Sequence, residues 1–204
     1  MLDEDRVRAL AHIESLLRER MAAKQRRLQH VLGVADTAGR LARTYGVDEF
    51  EAVAAGLLHD WDKVVPGDEL LLRATSLGVS LDGPVDCTVG LLHGPVAARE
   101  LPAQFPDLPD SVFQAVARHT IGAPDMTPLD MVVFIADAIE PGRSGAYADE
   151  LRDMVGEKPL EELFFTCFAH GIAYVVSTGR YLYPTAIDIY NRYAIARTVL
   201  ERQA

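Results

Sequence analysis

LQHVLGVADTAGRLARTYGV, residues 28–47, decides the fold class. Its apolar positions Leu28, Val31, Ala35, Ala38, Ala42 and Tyr45 recur at steps of three and four, which is one stripe on a helix. Gly46 stops that helix, and Asp48 is placed to cap the next, whose core runs from Val53 to Leu58. Pro66-Gly67 then breaks the chain. A short helix is expected near 68–76 and a loop over 78–86, where Gly83-Pro84 stands. Further helices are expected near 95–100, 110–118, 128–139, 159–178 and 184–201. Several open on a proline, whose missing N–H costs nothing in a first turn. No window alternates with the period of two that a strand requires. The segment 141–147 (PGRSGAY) has the most flexible composition inside the chain. The expectation is an all-α, compact helical bundle: residues 1–22 form an N-terminal amphipathic helix, and residues 23–204 form one domain that includes two C-terminal packing helices.

Composition narrows the function. The chain has 204 residues, 49% hydrophobic and 25% charged, enough to bury about 70% of its unfolded surface without disulfides. Cys87 and Cys167 have no CxxC partner and read as two reduced thiols. The formal net charge of −10 argues against long nucleic acid, whose binding rests on many Lys and Arg contacts to phosphates. A small polyphosphate remains open to it, because a metal and a few cations supply local positive charge. The N-terminus lacks the apolar core of a signal peptide. Apolar runs such as MVVFIA from Met131 fall short of the roughly 20 residues of a membrane span. A cytoplasmic protein with no membrane partner is expected, and the amphipathic terminal helices suggest a homodimer.

Six histidines occur, at 12, 30, 59, 93, 119 and 170. His12 lies in a charged helix and reads as surface. His170 sits in an aromatic stripe (LFFTCFAHGIAYVV) that reads as core. Tyr181, Tyr183 and Pro184 could stack on a base or simply pack the last helix. His30, His59, His93 and His119 stand at the edge or end of apolar helices, where a polar group needs a partner. In LLHDWDK (57–63), an imidazole beside a carboxylate suits a borderline divalent metal such as iron, manganese or zinc. In MVVFIADAIEPGR (131–143), Asp137 lies in the middle of an apolar helix, so it coordinates a metal, pairs with a cation such as Arg143, or simply faces water. His30, His59, Asp60 and Asp137 together make a ligand set for one ion with coordination sites left open.

The order H…HD…D resembles the HD superfamily. RLQHVLGVADTAGRLARTYGV, AAGLLHDWDK, LLHGPVAA, ARHTIGAPDMTPLDMVVFIADAIEPGR and PTAIDIYN together resemble the YqeK-type HD-domain family of bacterial symmetrical diadenosine tetraphosphate hydrolases, from about Arg27 to Asn191. The family more often carries LLHDYAK, so Trp61 and Asp62 depart from it, and Asp62 would place an extra acid near the metal.

The resemblance implies that His30, His59, Asp60 and Asp137 hold a divalent metal, iron first, with manganese and cobalt as alternatives. It implies that Lys63, one helical turn beyond His59, reaches a phosphate and that Arg143 clamps another. His93, His119 and Thr120 would line the phosphate channel, with His119 serving the departing ADP. A second metal on His93 and His119, bridged through Asp60, is the competing assignment. The implied reaction is metal-assisted attack of water on diadenosine tetraphosphate, giving two ADP, with Asp60, Lys63 and His119 as catalytic residues. The alternatives are another nucleotide hydrolase of the superfamily (nucleotidase, dNTP hydrolase or phosphodiesterase) or a nucleotide-binding module without turnover.

Overall fold

The computed structural model describes residues 3–201; residues 1, 2 and 202–204, at the outer ends of the two units expected from sequence, lie outside them. Among the described residues there are eleven α-helices and no strand. They are α1 (Glu4–Arg20), α2 (Gln25–Tyr45), α3 (Glu49–Leu58), α4 (Gly67–Ser76), α5 (Val85–Thr88), α6 (His93–Gln104), α7 (Asp110–Arg118), α8 (Pro128–Ile139), α9 (Ala146–Met154), α10 (Leu160–Ser177) and α11 (Thr185–Glu201).

The stripe on α2 is buried, including Leu28, Val31, Ala35, Ala38 and Ala42, and Gly46 ends the helix in the left-handed conformation (φ 71°). Asp48 caps α3 by accepting from the Glu51 N–H. α2 and α3 pack most extensively of all pairs, with α7 and α8 completing the centre. Gly56 permits this approach, since a Cβ there would stand 2.7 Å from Cα of Ala35. α1 lies on α3, α6 on α7, and α10 on α8.

Two expectations need amendment. The stretch 141–147 is a turn only as far as Gly145, after which Ala146 opens α9, a helix missing from the sequence reading. Its buried residues are only Ala148 and Leu151, too few to print a periodic stripe. α10, with 18 residues and a mean hydropathy of 1.2, is also long and apolar enough to cross a membrane. One face of it, with Leu160, Leu163, Phe164, Cys167 and Phe168, is buried within the fold.

Asp62 does not serve as an extra acid facing the metal ligands. Its side chain is fully buried, with one oxygen 2.6 Å from Arg20 of α1 and the other 2.7 Å from Arg73 of α4. Arg20 also donates to the Trp61 carbonyl at 2.7 Å and lies over the Trp61 ring, while Arg73 pairs with Glu100 of α6. Burial raises the Asp62 carboxyl above the usual carboxylate value, and the two guanidinium groups on its oxygens offset that only in part. Removing one partner of such a buried pair costs about 3–5 kcal/mol. Asp62→Ala is therefore expected to lower the melting temperature by on the order of 10 °C in a chain of this size, read by thermal unfolding. Glu100→Ala, removing the more exposed acid, should shift it by only a few degrees.

Candidate metal centre

α3 ends at Leu58, and His59 is its C-cap. The chain then descends through consecutive tight turns: Trp61 N–H donates to the Leu58 carbonyl, Lys63 N–H to Asp60, and Val65 N–H to Asp62. Lys63 is thus carried by a turn rather than by the further helical turn expected. Its Nζ lies 3.4 Å from both the Gly90 carbonyl and Nδ1 of His93.

The imidazoles are aimed by a repeated device. Nδ1 of His59 lies 2.7 Å from the Gly56 carbonyl, that of His93 3.0 Å from Gly90, and that of His119 2.7 Å from Val116. In each case the acceptor is three residues earlier, at a helix end or turn where carbonyls lack a helical partner. A carbonyl can only accept, so Nδ1 carries the proton and Nε2 presents its lone pair inward. His30 lies inside α2, and its Nδ1 instead meets Glu140 at 3.0 Å. The other oxygen of Glu140 accepts from the Gly142 N–H at 2.5 Å. A carboxylate behind a histidine in this way orients a metal-binding ring and raises its basicity.

These nitrogens converge on Asp60. Its Oδ2 lies 3.6 Å from Nε2 of His59 and 3.7 Å from Nε2 of His30, while Oδ1 lies 3.2 Å from His93 and 3.8 Å from His119. Two groups result, His30–His59–Asp60 and Asp60–His93–His119, each with its ligand atoms within 4.8 Å of one another. Gly94 makes room for the second, since a Cβ there would stand 2.6 Å from the Val116 carbonyl and 3.1 Å from the His119 ring. Thr120 Oγ lies 2.8 Å from Nε2 of His119 and 3.3 Å from that of His93. Asp137 Oδ1 lies 3.1 Å from Nε2 of His30 and 2.5 Å from Arg143, so metal-facing and ion-pair readings of this acid coincide.

The electrostatics suit a cation. Burial pushes the His59 imidazole down to about 4, so it stays neutral and free to ligate. Burial raises the Asp60 carboxyl, but the surrounding imidazoles, His59 first, outweigh it and hold it far below the usual carboxylate range. Among the described residues, two buried side-chain polar atoms have no hydrogen-bond partner: Nε2 of His30 and Nε2 of His59. Such a group costs about 1–3 kcal/mol unless something satisfies it. Both belong to one candidate ligand group with Asp60, so the residues fit a divalent ion.

All the site residues expected from sequence thus gather at one place, formed by α2, α3, α6, α7 and α8. Two neighbours were missed. Arg27 donates to Asp60 Oδ2 at 2.7 Å, and its position three residues before His30, on the same helical face, was the available signal. Glu140 was visible only as the acid after an apolar helix. Arg152 of α9 supports the segment behind them, donating to the carbonyls of Ile139, Glu140 and Arg143 at 2.7–3.0 Å.

The HD-domain profile matches residues 27–142, which contain every histidine and acid of the centre. The chain belongs to the HD-domain family. It is 32% identical over 175 residues to the symmetrical bis(5'-nucleosyl)-tetraphosphatase of Staphylococcus aureus, covering 83% of this chain and 87% of that protein. It is 28% identical over 189 residues to the protein of the same name from Bacillus subtilis, covering 92% and 96%. In fold it is similar to the crystal structure of an HD superfamily hydrolase from Clostridium acetobutylicum described as involved in NAD metabolism. That similarity has a TM-score of 0.81 and 33% identity, over 97% of this chain and 99% of that one.

Replacing the carboxylate behind His30 tests the centre. Glu140→Gln is expected to weaken manganese binding by about 10- to 100-fold with the helical content unchanged, measured by metal titration and circular dichroism.

Proposed function

We propose that this chain is a metal-dependent phosphohydrolase that cleaves diadenosine tetraphosphate symmetrically into two ADP. The observation that carries it is the pair of unpartnered imidazole nitrogens beside Asp60. They occur in a chain similar over most of its length to enzymes of that name.

His30, His59, Asp60 and Asp137 would hold the ion, with iron proposed first and manganese or cobalt as substitutes for this mixed nitrogen and oxygen donor set. When bound, the ion supplies a Lewis acid that polarises a phosphoryl oxygen and lowers the pKa of water. The chain supplies the rest. Asp60 orients the reacting groups between the two sets of imidazoles. Lys63 and Arg143 would take the negative charge that spreads over the phosphate oxygens in the transition state. The water oxygen forms the new P–O bond, the central P–O–P bridge breaks, and its electrons leave with the departing ADP oxygen. His93, His119 and Thr120 would contact the phosphates on the far side of Asp60 from His30.

A second reading has its own support. His93 and His119 are buried to 1% and 3% exposure, with Nε2 atoms 3.0 Å apart beside Asp60 Oδ1. With Nδ1 turned to the Val116 carbonyl, His119 faces Asp60 with its Nε2. Asp60, His93 and His119 would together hold a second ion, which would supply a further Lewis acid to the phosphates. Manganese titration decides between the two: two ions per chain, falling to one in His93→Ala, is the two-ion result.

Two subsidiary proposals complete the reading. A cytoplasmic setting suits the two free thiols, Cys87 being exposed. A homodimer would cover Tyr174, Val176, Ile187 and Ile195, each more than half exposed on α10 and α11, and would sediment at twice 22.4 kDa.

The deciding experiment is chromatographic product analysis with diadenosine tetraphosphate and iron(II), manganese or cobalt. ADP as the sole early product is expected. AMP with ATP would refute symmetric cleavage. His59→Ala and Asp60→Ala should each lose at least a thousandfold in kcat, as expected when a group of ligands acts as a unit. In the wild type, manganese at a hundred times its dissociation constant should add about 2.7 kcal/mol of stability, read as a rise in melting temperature.

A further inference from the structure

α1 carries none of the site residues, and it lies wholly before residues 27–142, where the HD-domain profile matches. Its packing is nevertheless deep: Ile13, Leu17 and Met21 are buried in the core, with α3 as the main neighbour. That anchoring holds Arg20, in the last turn of α1, against the turns that follow α3.

The segment 59–65 depends on outside support. It is not helical, and its turns are closed by single i to i+3 bonds, which leave the Trp61 carbonyl to a side-chain donor. Within it the side chains divide. Asp60 faces the four imidazoles, and Lys63 faces Gly90 and His93. Trp61 and Asp62, between them, turn outward and meet Arg20. Its Nε donates to the Trp61 carbonyl at 2.7 Å, its Nη2 donates to Asp62 Oδ1 at 2.6 Å, and the guanidinium lies 5.2 Å from the Trp61 ring centroid. The same ring packs edge-on against Phe105, with centroids 5.8 Å apart.

Nε and Nη2 belong to one rigid plane, so the two acceptors are fixed relative to each other. One acceptor is the oxygen of the planar unit joining Trp61 to Asp62, and the other is the side chain that follows it. Holding both sets the orientation of this unit, and with it the directions in which Asp60 and Lys63 leave the backbone on either side.

We propose that Arg20 is a positioning residue for the metal centre: by gripping the Trp61–Asp62 unit from outside, it aims Asp60 at the ion and Lys63 at the phosphate. α1 is then a brace on the reacting groups as well as a cover for α3. The inference rests on the metal centre and reaction proposed above.

Arg20→Lys separates positioning from charge pairing, because an ammonium keeps the attraction to Asp62 but lacks the fork that reaches the Trp61 carbonyl at the same time. The variant is first shown to be folded at the assay temperature by circular dichroism. Manganese affinity is then expected to fall about tenfold or more, as for other supports behind metal ligands. The kcat for diadenosine tetraphosphate should fall about tenfold or more with KM changed less than about threefold, since misplacing a reacting group by about 1 Å costs on the order of 100-fold. Acrylamide quenching of Trp61, the one tryptophan in the chain, should rise in the metal-free variant as the turn loosens. Manganese affinity within about twofold of the wild type overturns the positioning role, as does a kcat loss that tracks only the unfolded fraction. A wild type that leaves diadenosine tetraphosphate uncut removes the proposed reaction alone, because the manganese and fluorescence readings need no substrate.

Discussion

A carboxylate with 5% of its side chain exposed cannot remain charged in a helical core unless the surroundings answer its charge. Arg27 pairs directly with Asp60, and four imidazoles gather around it, drawn from α2, from the ends of α3 and α7 and from the start of α6. Its two oxygens face different pairs of rings, so the acid joins the halves of the molecule around one point. The close approaches of the fold serve this junction. Gly56 lets α3 reach α2, bringing His59 beside His30, and Gly94 lets α6 reach α7, bringing His93 against His119.

The centre is prepared by backbone geometry as much as by side-chain chemistry. Three of its histidines sit where helices end or begin, and each borrows a carbonyl three residues back to fix its tautomer. A site on helix ends is rigid, because the carbonyls are held by the helices that carry them. His30 has no free carbonyl nearby, and Glu140 takes that part from across the fold. Arg152 in turn holds the Glu140 segment, so α9 reaches the centre through two hydrogen-bonded layers.

Charge is distributed with the same economy. The acidic excess lies largely on the surface, while the arginines next to the centre are committed: Arg27 to Asp60, Arg143 to Asp137, and Arg20 and Arg73 to Asp62. Asp62 shows how one position can mislead. Two residues beyond Asp60 in sequence, it is turned away by the tight turns after α3, and it ties the metal-bearing loop to α1 and α4 instead of joining the ligands.

Much of this could be read from the residues in order. The stripe on α2, the cap at Asp48, the left-handed stop at Gly46 and the helices over 110–118 and 128–139 follow from local periodicity and from backbone preferences that act within a few residues. His30, His59, Asp60 and Asp137 stood out because polar groups in apolar stretches need partners, and a single sequence shows that need. What it could not show is which partner meets it. That His93 and His119 turn their Nε2 atoms onto Asp60, that Glu140 stands behind His30, and that Arg27 rather than Asp62 attends the centre depend on contacts between residues 26 to 110 positions apart. Such pairings arise only when helices pack, because the hydrophobic stripes that drive the packing specify which faces meet and leave the buried polar atoms to be matched by geometry.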